Sequence, residues 1–189
     1  NDLKWLAIKP AIIVKASSRL NLYYKYAEKL IKIGKAYVCS CEQELKSQLL
    51  MQGKGCLCRD FPIDEQLKRW KLMLTRYKEG AAVLRIKTNL QDKNPALRDW
   101  PAFRINLTKH IKVGKKYRIW PLMNFAVAID DHELKVTTAI RAKDHMDNAK
   151  RQKYIFDYFN WEFPENLFVG RINFTGLRLS ATQTRKLIQ

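Results

Sequence analysis

Four cysteines stand close together in the chain as two Cys-x-Cys pairs, Cys39 with Cys41 and, after fourteen residues, Cys56 with Cys58. Two such pairs can place four thiolates around one tetrahedral ion, and zinc suits them because it binds thiolate sulfur at about 2.3 Å. A strand predicted before the first pair and a glycine-rich turn before the second would let both pairs converge. Four protein ligands leave no position for water, so the pattern predicts a closed, structural zinc site.

Two disulfides or free buried thiols are the alternatives for these cysteines. Disulfides are rare in chains without a secretory signal, and cysteines separated by one residue seldom bond each other. Lys54 and Arg59 flank the second pair and would offset the charge of four thiolates. Zinc is therefore the favoured interpretation.

The net charge is +18, from 36 Lys and Arg against 18 Asp and Glu. Such an excess indicates an anionic polymer as partner, with nucleic acid first and an acidic membrane surface second. A generally basic proteome is the alternative explanation. No apolar run reaches the roughly 20 residues of a membrane helix, and no signal peptide is visible, so we expect a cytoplasmic protein without a membrane partner.

The elements that must position these residues alternate between helix and strand. Helices are predicted at 20–33, 42–51, 63–78 and 146–159, and strand-like segments at 36–38, 84–87, 103–108, 125–129 and 136–140. One apolar stripe marks the third helix: Ile63, Leu67, Trp70, Leu74 and Tyr77. The runs Phe125–Ile129 and Val136–Ile140 resemble parallel strands covered on both faces. The order predicts an α/β fold with a cysteine-bearing insertion in its first half.

Several motifs carry a resemblance to a known family. They are Asn94–Ile105 (NPALRDWPAFRI), Tyr117–Pro121 (YRIWP), Phe125–His132 (FAVAIDDH), Arg141, Lys143–His145 and Lys150–Gln152, with Ser17–Arg19 and Tyr37–Cys39 nearer the start. Together they resemble glutamyl-tRNA synthetases of the archaeal and eukaryotic type, and the resemblance covers nearly the whole chain.

The resemblance implies a class I catalytic domain, a Rossmann-type sheet split by an acceptor-stem-binding α/β insertion with a zinc site. Residues 1–34 would end the first Rossmann half, 35–115 would form the insertion, and 116–189 would form the second half, ending in a Lys-Met-Ser-Lys-Ser-like loop. Such enzymes activate L-glutamate with ATP and Mg²⁺, then esterify the terminal adenosine of tRNA.

The same resemblance assigns roles to individual residues. Glutamate would be bound by Arg141, through its side-chain carboxylate, and by Met123 and Val127. ATP would be bound by Asp144, His145, Gly170, Arg171 and Leu179. The loop near the end would supply Arg178 and Ser180 to catalysis. Phosphates of the acceptor stem would contact a basic stretch, of which each member is otherwise a solvated surface charge: Arg98, Arg104, Lys112, Lys115, Lys116 and Arg118.

Departures from the family pattern support a second hypothesis. None of the three histidines, His110, His132 and His145, stands in a His-x-Gly-His element. Ala181 and Gln183 stand in the loop where the family has a lysine, and Met123 replaces the pocket tyrosine. The first hypothesis is a fragment of a glutamate–tRNA ligase that is inactive alone. The others are a degenerate relative that binds tRNA or a partner in a synthetase complex, and a zinc-stabilised scaffold.

Overall fold

The computed structural model describes residues 2–170. The predicted site residues Arg171, Arg178, Leu179 and Ser180 lie outside the described residues. The α-helices are α1 Asp2–Trp5, α2 Leu20–Lys32, α3 Gln43–Met51, α4 Ile63–Thr75, α5 Met123–Glu133 and α6 Met146–Phe159. The strands are β1 Ala36–Cys39, β2 Val83–Ile86, β3 Pro101–Ile105, β4 Ile119–Pro121, β5 Thr138–Ala142 and β6 Glu165–Val169.

The strands form two sheets. One is antiparallel and four-stranded, in the order β1-β2-β3-β4, and the other pairs β5 with β6 in parallel. β4 pairs with β3 through Phe103 opposite Pro121, across the boundary predicted between residues 115 and 116. The division of the chain into insertion and flanking halves remains a prediction.

The core lies between the larger sheet and helices α2, α4, α5 and α6. Trp70, Phe103 and Phe125 are buried there, and the rings of Phe103 and Phe125 meet at 4.6 Å, edge to face. Aromatic side chains bury a large apolar area each, so this cluster is a main source of the stability of the fold. None of the described helices is long and apolar enough to cross a bilayer.

The α/β class and the four predicted helices are confirmed, with α4 ending at Thr75. The apolar stripe predicted for α4 is partly wrong. Ile63 is exposed, whereas Gln66 and Met73 are buried. The amide of Gln66 is satisfied there, since its Oε1 accepts from Val38 N–H at 2.8 Å and its Nε2 donates to a backbone carbonyl at 2.6 Å.

The predicted strand at Phe125–Ile129 is wrong, because this run lies inside α5. An apolar run of five residues has no periodicity that separates a buried strand from a buried helix. The predicted strand at Val136–Ile140 forms two residues later, as β5, and is not covered on both faces. Ile140 is 71% exposed among the described residues.

Candidate functional site

The four cysteine sulfurs meet at one point. Cys39 ends β1, and Cys58 lies in a short 3-10 helix, Leu57–Asp60, that begins right after Cys56. All four Sγ atoms lie within 4.8 Å of one another, with Cys39–Cys56 and Cys41–Cys58 both at 3.7 Å. Tetrahedral zinc at its usual bond length requires sulfurs about 3.8 Å apart. The cysteines are not in disulfides, so the donor set fits the ion.

Two cations contact the sulfurs, and neither is one that the sequence suggested. The ammonium of Lys46, on α3, lies 3.3 Å from Cys56 Sγ, and Arg69 Nη1, on α4, lies 3.8 Å from Cys58 Sγ. Arg59 instead forms an ion pair at 3.0 Å with a buried carboxylate, and Lys54 is exposed. Lys54 and Arg59 are therefore not the cations in contact with the sulfurs.

The surroundings of Cys56 make its thiol more acidic than a free thiol. A hydrogen bond from Cys39 and the nearby ammonium of Lys46 lower the pKa of Cys56 to about 4. Burial and a hydrogen bond with Cys58 raise the pKa of Cys41 to about 11. One thiolate is thus already favoured before any ion binds.

A buried carboxylate connects the cysteine cluster to the loop between β2 and β3. Asp99 is fully buried, and its carboxylate accepts hydrogen bonds from Tyr37 OH at 2.8 Å, Arg59 Nε at 3.0 Å and Thr88 N–H at 2.9 Å. Tyr37 OH in turn accepts from Lys46 Nζ at 2.5 Å. The hydrogen bonds of the Asp99 carboxylate therefore fix the position of the cysteine cluster relative to the loop between β2 and β3.

Two of the three residues predicted to bind glutamate lie along α5. Met123 and Val127, one turn apart, line a cavity of about 380 Å³ together with Leu20 and Trp120. Arg141, on β5, does not line this cavity. Its Nη2 donates to Asp131 Oδ2 at 3.1 Å, one further turn along the same face of α5.

Arg141 retains unused hydrogen-bonding capacity. Its buried Nε has no partner within residues 2–170, and the side chain is 13% exposed. Burial raises the pKa of Asp131, an effect that the neighbouring guanidinium opposes. A carboxylate ligand could thus gain bonds that Asp131 does not supply.

The described candidates for ATP binding share one edge of the β5–β6 sheet. Asp144 and His145 belong to a short 3-10 helix that directly follows β5, and Gly170 directly follows β6. The two strands end opposite each other, with Ala142 paired to Val169. Ligands of parallel α/β sheets bind at the carboxyl ends of the strands, so the placement suits a nucleotide.

The six residues predicted to bind tRNA divide into two groups. The exposed group consists of Arg104, Lys112, Lys115 and Lys116. Arg98 donates from Nη1 to the carbonyl of Leu50 at 2.7 Å, near the end of α3. Arg118 donates to the carbonyls of Thr75 and Tyr77 at 2.8 and 2.7 Å, at the end of α4. Arg98 and Arg118 therefore support helix ends, and the exposed group is the better phosphate surface.

Comparison with known families gives the class of protein to which this strand pair, cysteine cluster and cavity belong. The family described as "tRNA synthetases class I (E and Q), catalytic domain" matches residues 1–189. The chain belongs to this family of glutamate and glutamine synthetases.

Two individual relatives show how similar this chain is to named enzymes. The chain is 55% identical over 190 residues to a glutamate–tRNA ligase of Pyrococcus horikoshii, covering 100% of this chain and 33% of that protein. It is 47% identical over 193 residues to the glutamate–tRNA ligase of Methanosarcina mazei, covering 100% of this chain and 34% of that protein. The chain thus spans about one third of the length of these relatives.

Solved structures agree on the fold. A glutamate tRNA ligase from Elizabethkingia meningosepticum, crystallised in complex with its amino acid, matches with a TM-score of 0.61 at 19% identity. The match covers 97% of this chain and 41% of that chain. At this identity the likeness concerns the fold alone, which is that of a class I synthetase catalytic domain.

Proposed function

We propose that this chain is a catalytic segment of a glutamate–tRNA ligase. The observation that carries the proposal is the 55% identity, over the whole chain, to a ligase of that name. The reaction joins L-glutamate to AMP at the expense of ATP with Mg²⁺, then transfers the glutamyl group to the terminal adenosine of tRNA. Its site of action is the cytoplasm, where four cysteines stay reduced.

Arg141 holds the side-chain carboxylate of glutamate. A guanidinium can bind a carboxylate through two parallel hydrogen bonds, which also discriminates against the neutral amide of glutamine. Asp131 orients the guanidinium through one Nη atom, and the buried Nε has no partner among residues 2–170. Met123 and Val127 form the apolar wall of the cavity beside α5.

The nucleotide lies at the carboxyl ends of β5 and β6. Asp144 and His145 contact the adenosine, and the backbone at Gly170 and Arg171 approaches the adenine. Leu179 completes the ATP site, while Arg178 and Ser180 stabilise the charge that develops as pyrophosphate leaves.

The cysteine cluster holds a structural zinc ion that fixes the acceptor-binding insertion. The 3.7 Å sulfur separations and the buried cation beside Cys56 support this assignment. The exposed Arg104, Lys115 and Lys116 bind phosphates of the acceptor stem. Such contacts position the RNA without reading its sequence. Partners within a synthetase complex remain a prediction.

A chimera tests the proposed function. Residues 1–189 replace the matching third of the Pyrococcus horikoshii ligase, and glutamylation of tRNA is measured. We expect charging with glutamate but not glutamine, and a large rise in KM for glutamate after Arg141→Gln. The exposed Arg76→Gln variant is the matched control. The isolated chain should show no glutamate-dependent ATP–pyrophosphate exchange.

A non-catalytic relative is the second candidate, because Met123, Ala181 and Gln183 stand where the family has functional side chains. In that case the chimera would fold and bind tRNA but fail to charge it. Recovery of charging by Met123→Tyr with Gln183→Lys would then locate the loss in these positions.

A further inference from the structure

Two aromatic rings stack at the base of a lysine-rich loop. The ring centroids of His110 and Trp120 are 4.8 Å apart, with 25° between the planes. Two backbone hydrogen bonds between His110 and Gly114, of 3.0 and 2.9 Å, close the loop. The His110 Nδ1 accepts from Lys112 N–H at 3.1 Å, which fixes the orientation of the ring. The pair is therefore held in place before any ligand binds.

The ring pair separates two cavities. His110 and Trp120 line the cavity of about 380 Å³ that also contains Met123. They also line a second cavity of about 370 Å³, whose walls include the basic residues Arg104 and Lys109. A strand that passed from the basic surface into the proposed glutamate pocket would cross these rings.

Two lysines meet beside the rings. Lys15 directly precedes a 3-10 helix, Ala16–Ser18, whose first two residues line the same cavity. The side chain of Lys15 lies within hydrogen-bonding reach of Lys112, and this contact lowers the pKa of Lys112. Neither lysine belongs to an ion pair of the described residues. Two adjacent ammonium groups repel each other, and an anion between them would reverse that effect.

We propose that a nucleobase of a single-stranded RNA 3′ end stacks on the His110–Trp120 pair, while a neighbouring phosphate binds between Lys15 and Lys112. The inference rests on the proposed function, since the RNA is the acceptor end of tRNA. Stacking on aromatic rings tolerates any base, and the phosphate fixes the register of the strand. A double helix is too wide for a cavity of about 380 Å³, so only unpaired nucleotides reach the rings.

The test uses the full chain and a tRNA transcript with 2-aminopurine in place of its terminal adenosine. Binding should quench the fluorescence of the label. His110→Asn removes the ring but keeps an acceptor for Lys112 N–H. We expect this variant to lose most of the quenching and to bind about tenfold more weakly, as for the loss of one stacked base.

A second histidine–tryptophan stack provides the matched control. His132 and Trp161 stack at 3.5 Å and lie outside both cavities. His132→Asn should leave quenching and affinity unchanged. Lys112→Ala should lower the dependence of log affinity on log salt by about 0.7, the value for one phosphate contact on a single strand. Lys68→Ala, a substitution at an exposed position on α4, should leave this salt dependence unchanged.

The outcomes separate this inference from the proposed function. Tight tRNA binding with quenching that is indifferent to His110→Asn would overturn the stacking and leave RNA binding intact. Equal affinity for a tRNA that lacks its unpaired 3′ nucleotides, with displacement of the label by ATP, would assign the rings to a mononucleotide and overturn the inference. Absence of any tRNA binding at low salt would overturn both.

Discussion

Lys46 places its ammonium nitrogen 3.3 Å from the sulfur of Cys56, although the lysine is only 2% exposed. A buried charge is costly unless it is paired, so the contact indicates a local negative charge in the native protein. Four thiolates around one divalent cation carry two negative charges, which Lys46 and Arg69 together would balance.

Purified protein should contain one zinc ion per chain, measured by elemental analysis under reducing conditions. Cys56→Ala should abolish stoichiometric zinc, because it removes one of four ligands and the sulfur beside Lys46. Removal of the ion by a chelator should lower the thermal midpoint. Metal-free protein with two disulfides, detected by mass spectrometry, would contradict the assignment.

Replacement of the buried lysine should weaken the site without emptying it. Lys46→Met keeps the length of the side chain but removes the charge beside Cys56, and we expect zinc affinity to fall by about 10–100-fold, as for other partners of metal ligands. Competition with a chromophoric chelator measures the change. Lys54→Met, at an exposed position in the same segment, is the control and should bind zinc as tightly as the parent chain.

Two tyrosines of α2 should make the fold sensitive to alkali. Burial raises the pKa of Tyr24 to about 12, and burial together with the Glu133 hydrogen bond does the same for Tyr26. The unfolded value is about 10, so the folded state binds these protons more tightly. The resulting stability is complete below pH 10 and is lost as pH rises from about 10 to about 12.

Chemical denaturation at a series of pH values measures this loss. Tyr24→Phe with Tyr26→Phe should make the decline in the free energy of unfolding shallower without removing it, because burial also raises the pKa of Tyr23, Tyr37 and Tyr158. An equally steep decline in the double variant would show that other groups cause it.

Substitution of the exposed basic residues should change RNA binding. Substitution of the arginines that support helix ends should change the stability of the fold. Arg104→Ala, Lys115→Ala and Lys116→Ala should each reduce the salt dependence of tRNA binding by about 0.9, the value for one duplex phosphate. Arg98→Ala should lower the thermal midpoint, because it removes donors to the carbonyl of Leu50 and its neighbours. A stable Arg98→Ala variant with weakened RNA binding would contradict this division.

Spacing alone was enough to predict α2, α3, α4 and α6 and the convergence of the cysteines. The helices 20–33 and 146–159 carry long amphipathic patterns, and two Cys-x-Cys pairs have few other ways to satisfy four thiols. The run at Phe125–Ile129 failed because five apolar residues fit either a strand or a helix, and only contacts with distant residues decide between them.

The cations beside the cysteine sulfurs show a different limit of prediction from sequence. Proximity in sequence favoured Lys54 and Arg59, but a helix brings residues three and four positions apart to one face. Lys46 shares a face with Leu49 and Leu50 on the predicted helix 42–51, and this signal would have identified it as inward-pointing. The partner of Arg141 required the tertiary structure, because β5 and α5 must pack before Asp131 can be reached.

The hydrogen bonds between α2 and α5 have a mechanical consequence for the cavity. Arg19 and Tyr23 both bind Asp130, at 2.7 and 2.6 Å, and Tyr26 binds Glu133 at 2.5 Å. These three hydrogen bonds hold α2 and α5 rigidly together along one side of the cavity. Any adjustment of the cavity to an incoming molecule is therefore expected outside these two helices, since their relative position is fixed.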